Sequence, residues 1–317
     1  LYFQRYPAFW YDNQTENTAE LVSPTVEFTL PGDWTLALGG TWSRDRNEYA
    51  IWQVRADTGA STLAQQACNC NESRSYEINA EGPLFALAGN QARLAVGAGY
   101  RTNDFLNATY SANRAYAGEE TSRYGYAEMS LPLLGAAPGV SGPDRLVATA
   151  ALRGEDYDNF GSVVTPKLGL VHRMGTDFTT KLSWGRSFKA PMLSRRYGNR
   201  FVYLAPASLA GGTGYAPDAT VLITWGANPD LEPERARTMS ASLAFHPQAL
   251  PGLEAELTWF DIDYYDRVLA PLAVIGQALS GSTYADFVDL APTPAEQAAL
   301  LAYYADNLQN IAGVPYD

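Results

Sequence analysis

Apolar and polar residues alternate with a period of two through most of the chain. From Arg93 to Arg101, Leu94, Val96, Ala98 and Tyr100 occupy one side, while Arg93, Gly97, Gly99 and Arg101 occupy the other. A strand points successive side chains to opposite faces, so this pattern predicts a β-strand with one apolar face. Trp34, Leu36, Leu38 and Trp42 oppose Thr35, Thr41 and Ser43 in the same way, and Val22, Val26, Phe28 and Leu30 oppose Ser23, Thr25, Glu27 and Thr29. Later, Phe178, Leu182 and Trp184 oppose Thr179, Lys181 and Ser183, and Met239, Ala241, Leu243 and Phe245 oppose Thr238, Ser240, Ser242 and His246. Ten such strands are predicted, over 20–30, 34–46, 73–84, 92–103, 121–132, 145–156, 162–173, 178–188, 236–246 and 253–266.

The connections alternate in size. Pro31-Gly32-Asp33, Gly89-Asn90, Gly175-Thr176-Asp177 and Gln248 to Gly252 read as short turns, with a longer Gly/Pro-rich turn at 133–144. The other set, 47–72, 104–120, 189–235 and 267–308, is long, with one short exception near Asn159-Phe160-Gly161. Antiparallel strands with short periplasmic turns and long extracellular loops describe a transmembrane β-barrel of the outer membrane. An 11-residue strand spans about 36 Å and, tilted by about 45°, crosses a hydrocarbon layer of about 25 Å. Trp34, Trp42, Tyr76, Tyr100, Tyr124, Tyr126, Trp184, Phe245, Trp259 and Phe260 lie near strand ends, where an interfacial girdle needs aromatics. A soluble β-sandwich or propeller shares the alternation, but soluble strands average about 5–6 residues. Arg186 falls on an apolar side and is expected at the outer rim, where a charge costs little. In the last strand the apolar parity switches between Trp259 and Phe260, which predicts either a bulge or emergence from the bilayer.

Composition narrows the function. Lys plus Arg number 22 against 34 Asp plus Glu, a net charge of -12, which suits no nucleic-acid partner. An apolar fraction of 46% with only 18% charged residues excludes a disordered chain, and no apolar run reaches the length of a membrane helix. His172 and His246 both lie beside short turns, at the end opposite an extracellular mouth, so a barrel enzyme acting at that mouth lacks its general base. No Gly-x-Ser-x-Gly elbow occurs, Asp261, Asp263 and Asp266 read as solvated rim carboxylates, and Gly211-Gly212-Thr213-Gly214 lacks the context of a phosphate loop. Catalytic residues and cofactors are therefore not expected. Cys68 and Cys70 have no His or second Cys pair nearby for a metal site. In an oxidising loop a disulfide between them is the default, set against the tight ring that one intervening residue imposes.

Several segments resemble the TonB-dependent outer-membrane receptors. Pro166 to Pro191 (PKLGLVHRMGTDFTTKLSWGRSFKAP) resembles paired strands preceding a large extracellular loop of that family, and Asn228 to Pro247 is similar to its Asn-Pro-x-Leu-x-Pro-Glu stretch. Gly252 to Val268 resembles the strand that follows, and Gly82 to Arg101 a hairpin of long-loop members. The resemblance implies a barrel of 22 strands holding an N-terminal plug, so residues 1–317 read as one partial barrel domain cut at both ends. Asp306 to Asp317 resembles entry into a further strand; Leu1-Tyr2-Phe3-Gln4 fits both a native strand and part of an engineered protease site. It further implies a receptor in the outer membrane of a Gram-negative-type bacterium, touching lipid, coupled to TonB through the plug, and taking up a scarce nutrient, first among them an iron–siderophore complex. A passive porin or a stand-alone ten-stranded barrel enzyme is the alternative.

Inward positions Arg93, Arg101, Arg145, Arg153, Glu155, Lys167 and Lys181 are expected to line the lumen. The 189–235 loop carries Arg195, Arg196, Tyr197, Arg200, Tyr203, Tyr215 and Trp225, an arginine and aromatic set suited to an anionic, planar or catecholate ligand such as an iron chelate. In 267–308, Thr293 with Glu296 three residues on predicts a capped helix with Leu300, Leu301 and Tyr304 as its apolar stripe.

Overall fold

The computed structural model describes residues 8–88, 90–135, 145–270, 272, 274–303 and 308–310. Leu1 to Gln4 and Tyr304 lie outside them. The chain divides into two units, one comprising residues up to Pro191 with Glu232–Arg267, the other Met192–Leu231 with the residues from Val268 onward.

The first unit contains β1 (Phe9–Val22), β2 (Thr25–Leu30), β3 (Trp34–Arg55), β4 (Ser61–Leu87), β5 (Asn90–Thr109), β6 (Arg114–Leu134), β7 (Leu146–Tyr157), β8 (Gly161–Met174) and β9 (Phe178–Lys189). After β10 (Arg200–Pro206) and β11 (Thr220–Gly226), which belong to the second unit, β12 (Glu234–Phe245) and β13 (Ala255–Tyr265) return to the first. The sheet is antiparallel with the order β1-β3-β4-β5-β6-β7-β8-β9-β12-β13, and β2 also pairs with β3. β1 and β2 run along the same edge of β3, interrupted only at Ser23-Pro24, where proline has no N–H for the ladder. Ten ranks therefore result, matching the ten expected strands.

Register assigns the two faces. Leu38 lies between Val26 and Ile78, Leu168 between Ala150 and Trp184, and Leu182 between Leu170 and Ala241. Leu38, Ile78, Leu168 and Leu182 are 43%, 48%, 54% and 44% exposed, so the apolar side of the sheet is uncovered, as a lipid-facing wall must be. The other side is polar: Thr35 faces Glu81, Ala95 faces Glu128, and Lys181 pairs with Glu256 at 3.2 Å. The apolar face ends at Trp42, Tyr76, Tyr100, Trp184 and Trp259 and then turns charged. Arg44 faces Glu72, which faces Asp104, and Trp42 Nε1 donates to Glu72 at 3.1 Å. Across β9, β12 and β13 the corresponding row is Arg186, Arg237 and Asp263.

Three expectations need correction. The stretches 47–72 and 104–120 are not loops but continuations of β3–β4 and β5–β6, joined by tight turns at Ala56–Ala60 and Tyr110–Asn113; Cys68 and Cys70 consequently sit within β4. Tyr124 and Tyr126 face inward rather than joining a girdle, because they are register partners of Gly99 and Gly97 on the polar face; Phe260, opposite Ser240, is inward too. Pairing of β12 with β13 runs without a register shift from Arg235–Tyr265 to Phe245–Ala255, so no bulge explains the parity switch. Instead Asp261 and Asp263 follow Trp259 on the outer side, as emergence from lipid requires. Register shifts do occur at Pro83 and Pro132, where the missing N–H favours a bulge. The β8–β9 ladder stops at Lys167–Gly185, next to Pro166, and β8 above that point pairs only with β7.

Short turns lie where expected. Gly32 and Asp33 have φ values of 79° and 60°, and Gly175 has 63°, the left-handed conformations that tight hairpins use. Of the longer turn, residues 136–144 lie outside the described residues, as does Gly89. At the β8–β9 turn, His246 donates its backbone N–H to Asp177 O at 2.8 Å, and its ring lies 3.0 Å from Thr179 Oγ1. Asp177 also accepts from Thr176 and from the Gln248 N–H, which holds its carboxyl below the usual aspartate value.

In the second unit β10 and β11 form an antiparallel hairpin, and β14 (Leu308–Asn310) adds in parallel to β10; the rest of the Asp306 to Asp317 stretch lies outside the described residues. It also holds helices α1 (Leu193–Tyr197) and α2 (Pro294–Tyr303) and short 3-10 turns at Ala207–Ala210, Ile275–Gln277 and Ser282–Phe287. The expected capping box is present: Thr293 Oγ1 accepts from the Glu296 N–H at 3.3 Å, and the Glu296 carboxylate accepts from the Thr293 N–H at 2.8 Å and its hydroxyl at 2.7 Å.

Candidate functional site

The loop residues singled out by sequence gather mostly at one end of the β10–β11 hairpin. Arg195 and Arg196 lie in the last turn of α1, where the helix dipole favours cations. Arg196 is buried, 6% exposed, with its guanidinium 5.6 Å from the Tyr197 ring centre; Arg195 is exposed. The Asn228 N–H donates to Arg195 O at 2.8 Å, and the Ala227 N–H donates to Asn199 O at 3.0 Å. Between them Gly226 has φ 116°, and a Cβ there would lie 2.1 Å from Asn199 O, so the close approach requires glycine. Arg200 and Phe201 pair with Gly226 and Trp225 as the first rungs of the hairpin. Arg195, Arg196, Tyr197, Arg200 and Trp225 thus converge on this end. Tyr203 lies further along, opposite Ile223, and its side chain is outside the described residues. Tyr215 is separate: it lines a cleft of about 600 Å³ with Leu204, Ile223, Leu279, Phe287 and Leu300. Carboxylates there are Asp289 and Glu296, and no arginine lines it among the described residues. Its chemistry is apolar and weakly acidic, unlike the arginine cluster.

Some of the expected lumenal charges also meet. Tyr124 OH donates to Glu77 Oε2 at 2.6 Å, Arg153 lies 4.2 Å over the Tyr124 ring, and Arg153 pairs with Glu155. Glu155 in turn accepts from Tyr157 OH at 2.8 Å, and Arg101 sits 5.6 Å from the Tyr124 ring centre. A Cβ on Gly97 would lie 2.5 Å from the Tyr126 ring and one on Gly99 2.4 Å from the Tyr124 ring; the two glycines make the space these rings fill. Arg93 pairs with Glu81 at 3.3 Å. Lys167 and Lys181 are inward as expected, and Arg145, whose backbone bonds Leu134 and Arg173 just ahead of β7, donates from its guanidinium to Gly135 O at the short-turn end.

One inner-face feature escaped the sequence reading. Asn17, Asn47, Asn69 and Asn107 are successive register partners across β1, β3, β4 and β5. Asn47 donates to Asn17 and Asn107 to Asn69, while one rung below Asn71 donates to Asp45 at 2.8 Å. Asparagine recurring in strands of unknown register carries no signal; the ladder exists only once pairing is known. On the opposite face Cys68 and Cys70 are bonded to each other, with Glu48 the register partner of Cys68. The Glu48 carboxylate and both sulfurs lie within 4.8 Å, but the bonded sulfurs offer no thiolate, and Glu48 pairs with Arg46 at 3.8 Å. At the β3–β4 tip Arg55 holds the Asp57 carboxyl below its usual value through a two-point contact.

Residues 2–311 match the family model described as TonB dependent receptor-like, beta-barrel. The chain is 25% identical over 298 residues to the ferric enterobactin receptor PirA of Pseudomonas aeruginosa, covering 86% of this chain and 38% of that protein. It is 28% identical over 162 residues to the ferrienterobactin receptor of Escherichia coli K12, covering 51% of this chain and 20% of that protein. Among solved structures, the pyoverdine outer membrane receptor FpvA of Pseudomonas aeruginosa bound to pyoverdine aligns with a TM-score of 0.53 at 13% identity, over 80% of this chain and 37% of that one. The RagAB peptide transporter aligns with a TM-score of 0.55 at 14% identity, over 80% of this chain and 30% of that one; both likenesses concern the fold alone. The chain spans 38% of the length of the first of these relatives. With a family model matched along nearly its whole length and a two-faced antiparallel sheet to account for the match, the chain belongs to the TonB-dependent receptor β-barrel family.

Proposed function

We propose that this chain forms part of the barrel wall and the ligand-contacting loops of an outer-membrane receptor that imports an iron–siderophore complex with energy delivered by TonB. The observation that carries it is the family match joined to the sheet's two faces, one exposed and apolar, the other polar and charged. The named relatives that bind ferric enterobactin support an iron chelate over the other nutrients. In this reading residues 1–317 are a partial barrel domain, TonB acts through a plug elsewhere in the full-length protein, and the protein resides in the outer membrane of a Gram-negative-type bacterium as a transporter rather than an enzyme. The Arg195–Arg196–Tyr197–Arg200–Trp225 cluster meets the ligand, its guanidinium groups bonding catecholate oxygens and its rings stacking on the chelate.

The test is uptake of radiolabelled ferric catecholate siderophore by cells whose only receptor is the full-length protein. Deleting TonB is expected to abolish uptake, and Arg195→Ala with Arg196→Ala to weaken ligand affinity at least tenfold, about 1.4 kcal/mol. Because Arg196 is buried, Arg195→Ala alone is measured beside it, with surface expression as control. Uptake unchanged without TonB refutes energy coupling and restores the porin. Unchanged affinity in both variants removes this loop from the ligand site.

A further inference from the structure

We propose that Arg186 and Arg237 form a site for the phosphate of an outer-leaflet lipid headgroup, an inference that rests on the membrane reading above. The two arginines are direct register partners on β9 and β12, both exposed, on the lipid-facing side and one pleat beyond Trp184 and Met239. That step is about 7 Å along a strand and, at a tilt of about 45°, about 5 Å of height, which lifts the guanidinium groups from the edge of the hydrocarbon into the headgroup layer.

The charge there does not balance. Arg235, two residues away on the same face, lies between Phe188 and Tyr265, and the acids on that face are Asp261 and Asp263. Asp263 is paired with Arg237, whereas the side chains of Arg186 and Arg235 make no hydrogen bond or ion pair among the described residues. Like charges directly opposite each other across a sheet are destabilising. Two adjacent guanidinium forks are also the arrangement that clamps one phosphate through charge-assisted bonds. Elsewhere on this face the arginines are matched: Arg44 lies between Glu20 and Glu72, Arg74 pairs with Glu72, and Arg123 faces Asp156. A lipid fits better than free phosphate because the surface beneath, Leu182 and Leu243, is apolar and open to acyl chains.

The experiment uses the full-length protein in non-ionic detergent, titrated with bisphosphorylated lipid A, its dephosphorylated form, or inorganic phosphate, with bound lipid counted by native mass spectrometry. Arg186→Gln with Arg237→Gln is expected to weaken retention of the phosphorylated lipid about tenfold or more, and the Lys pair to lose less. The dephosphorylated lipid should bind both proteins alike, and inorganic phosphate should not displace lipid. Equal retention by wild type and the Gln pair overturns the proposal, as does complete displacement by inorganic phosphate. Heat-modified gel mobility identifies assembled protein; should the Gln pair not assemble, Arg186→Gln alone is expected to show a smaller loss of the same sign, and no loss overturns the proposal. Siderophore uptake, read in parallel, is expected to stay at the wild-type level in the Gln pair. Absent uptake by wild type refutes the transport reading while leaving the lipid count to decide this one.

Discussion

Leu38→Arg tests the assignment of the two faces at its most sensitive point. Leu38 lies four residues from Trp34 and four from Trp42, both on its own face of β3, and is flanked by Val26 and Ile78. Four residues are about 14 Å of strand and about 10 Å of height at a tilt of about 45°, which places Leu38 near the bilayer midplane. An arginine at that depth costs about 2–4 kcal/mol, and snorkelling recovers only part of it. Folding into the bilayer should therefore become roughly 30- to 1,000-fold less favourable. The control is Thr35→Arg, on the inner face opposite Glu81, where the new charge meets a carboxylate and water; its expected cost is below about 0.5 kcal/mol. The assay is urea-dependent assembly of the full-length protein into lipid vesicles, read by heat-modified gel mobility. Equal costs for the two substitutions, or a larger cost for Thr35→Arg, would refute the facing of the entire sheet, since register ties every strand to β3.

Other predictions concern the packed and capped elements. Gly97→Ala drives a methyl into the Tyr126 ring and should cost about 1–3 kcal/mol by overpacking; Tyr126→Ala in the same chain should recover most of it, and additive losses in the same urea assay would contradict the contact. Thr293→Ala removes the acceptor for the Glu296 N–H and should speed amide exchange in the first turn of α2 about fivefold, measured by deuterium uptake. Thr293 holds the Glu296 carboxyl below the ordinary value, so its contribution is fully present above that value and lost as pH falls through the lower folded one; protection of α2 should drop only below about pH 4.3, and a loss centred near neutrality would point to another group. Native, unreduced protein should show no alkylatable thiol by mass, with both becoming reactive after reduction.

The strands that cross lipid were legible because one of their faces is apolar and the other is not. That contrast vanishes where both faces meet water. In Arg44-Asp45-Arg46-Asn47-Glu48 every position is polar, so the upper half of β3 reads as loop although it is paired to β1 throughout and to β4 with a single register shift at Ile51–Trp52. Tyr124 and Tyr126 were misassigned for a related reason: a tyrosine near a strand end reads as an interfacial anchor. What turns them inward is the pair of glycines on the neighbouring strand, a relation that appears only with register. The Thr293–Glu296 cap, by contrast, is local, three residues long, and was readable without any knowledge of the fold. The arginines and aromatics of 189–235 were visible as a composition. Their division between the hairpin end and the Tyr215 cleft depends on β10 and β11, two strands of seven residues with little alternation to announce them.

The continuation of β3 and β4 past the aromatic row has a consequence for what the cell surface presents. From Trp42 to Arg55 the strand rises thirteen residues further, about 43 Å of chain and about 30 Å of height at a similar tilt. Its backbone is paired to β1 and β4, with one register shift at Ile51–Trp52, so a protease or an antibody meets a stiff hydrogen-bonded ribbon whose accessible peptide bonds are concentrated at the Ala56–Ala60 tip. In the receptor proposed above, a large molecule approaching from the medium meets that raised ribbon of β3 and β4 before it meets the bilayer.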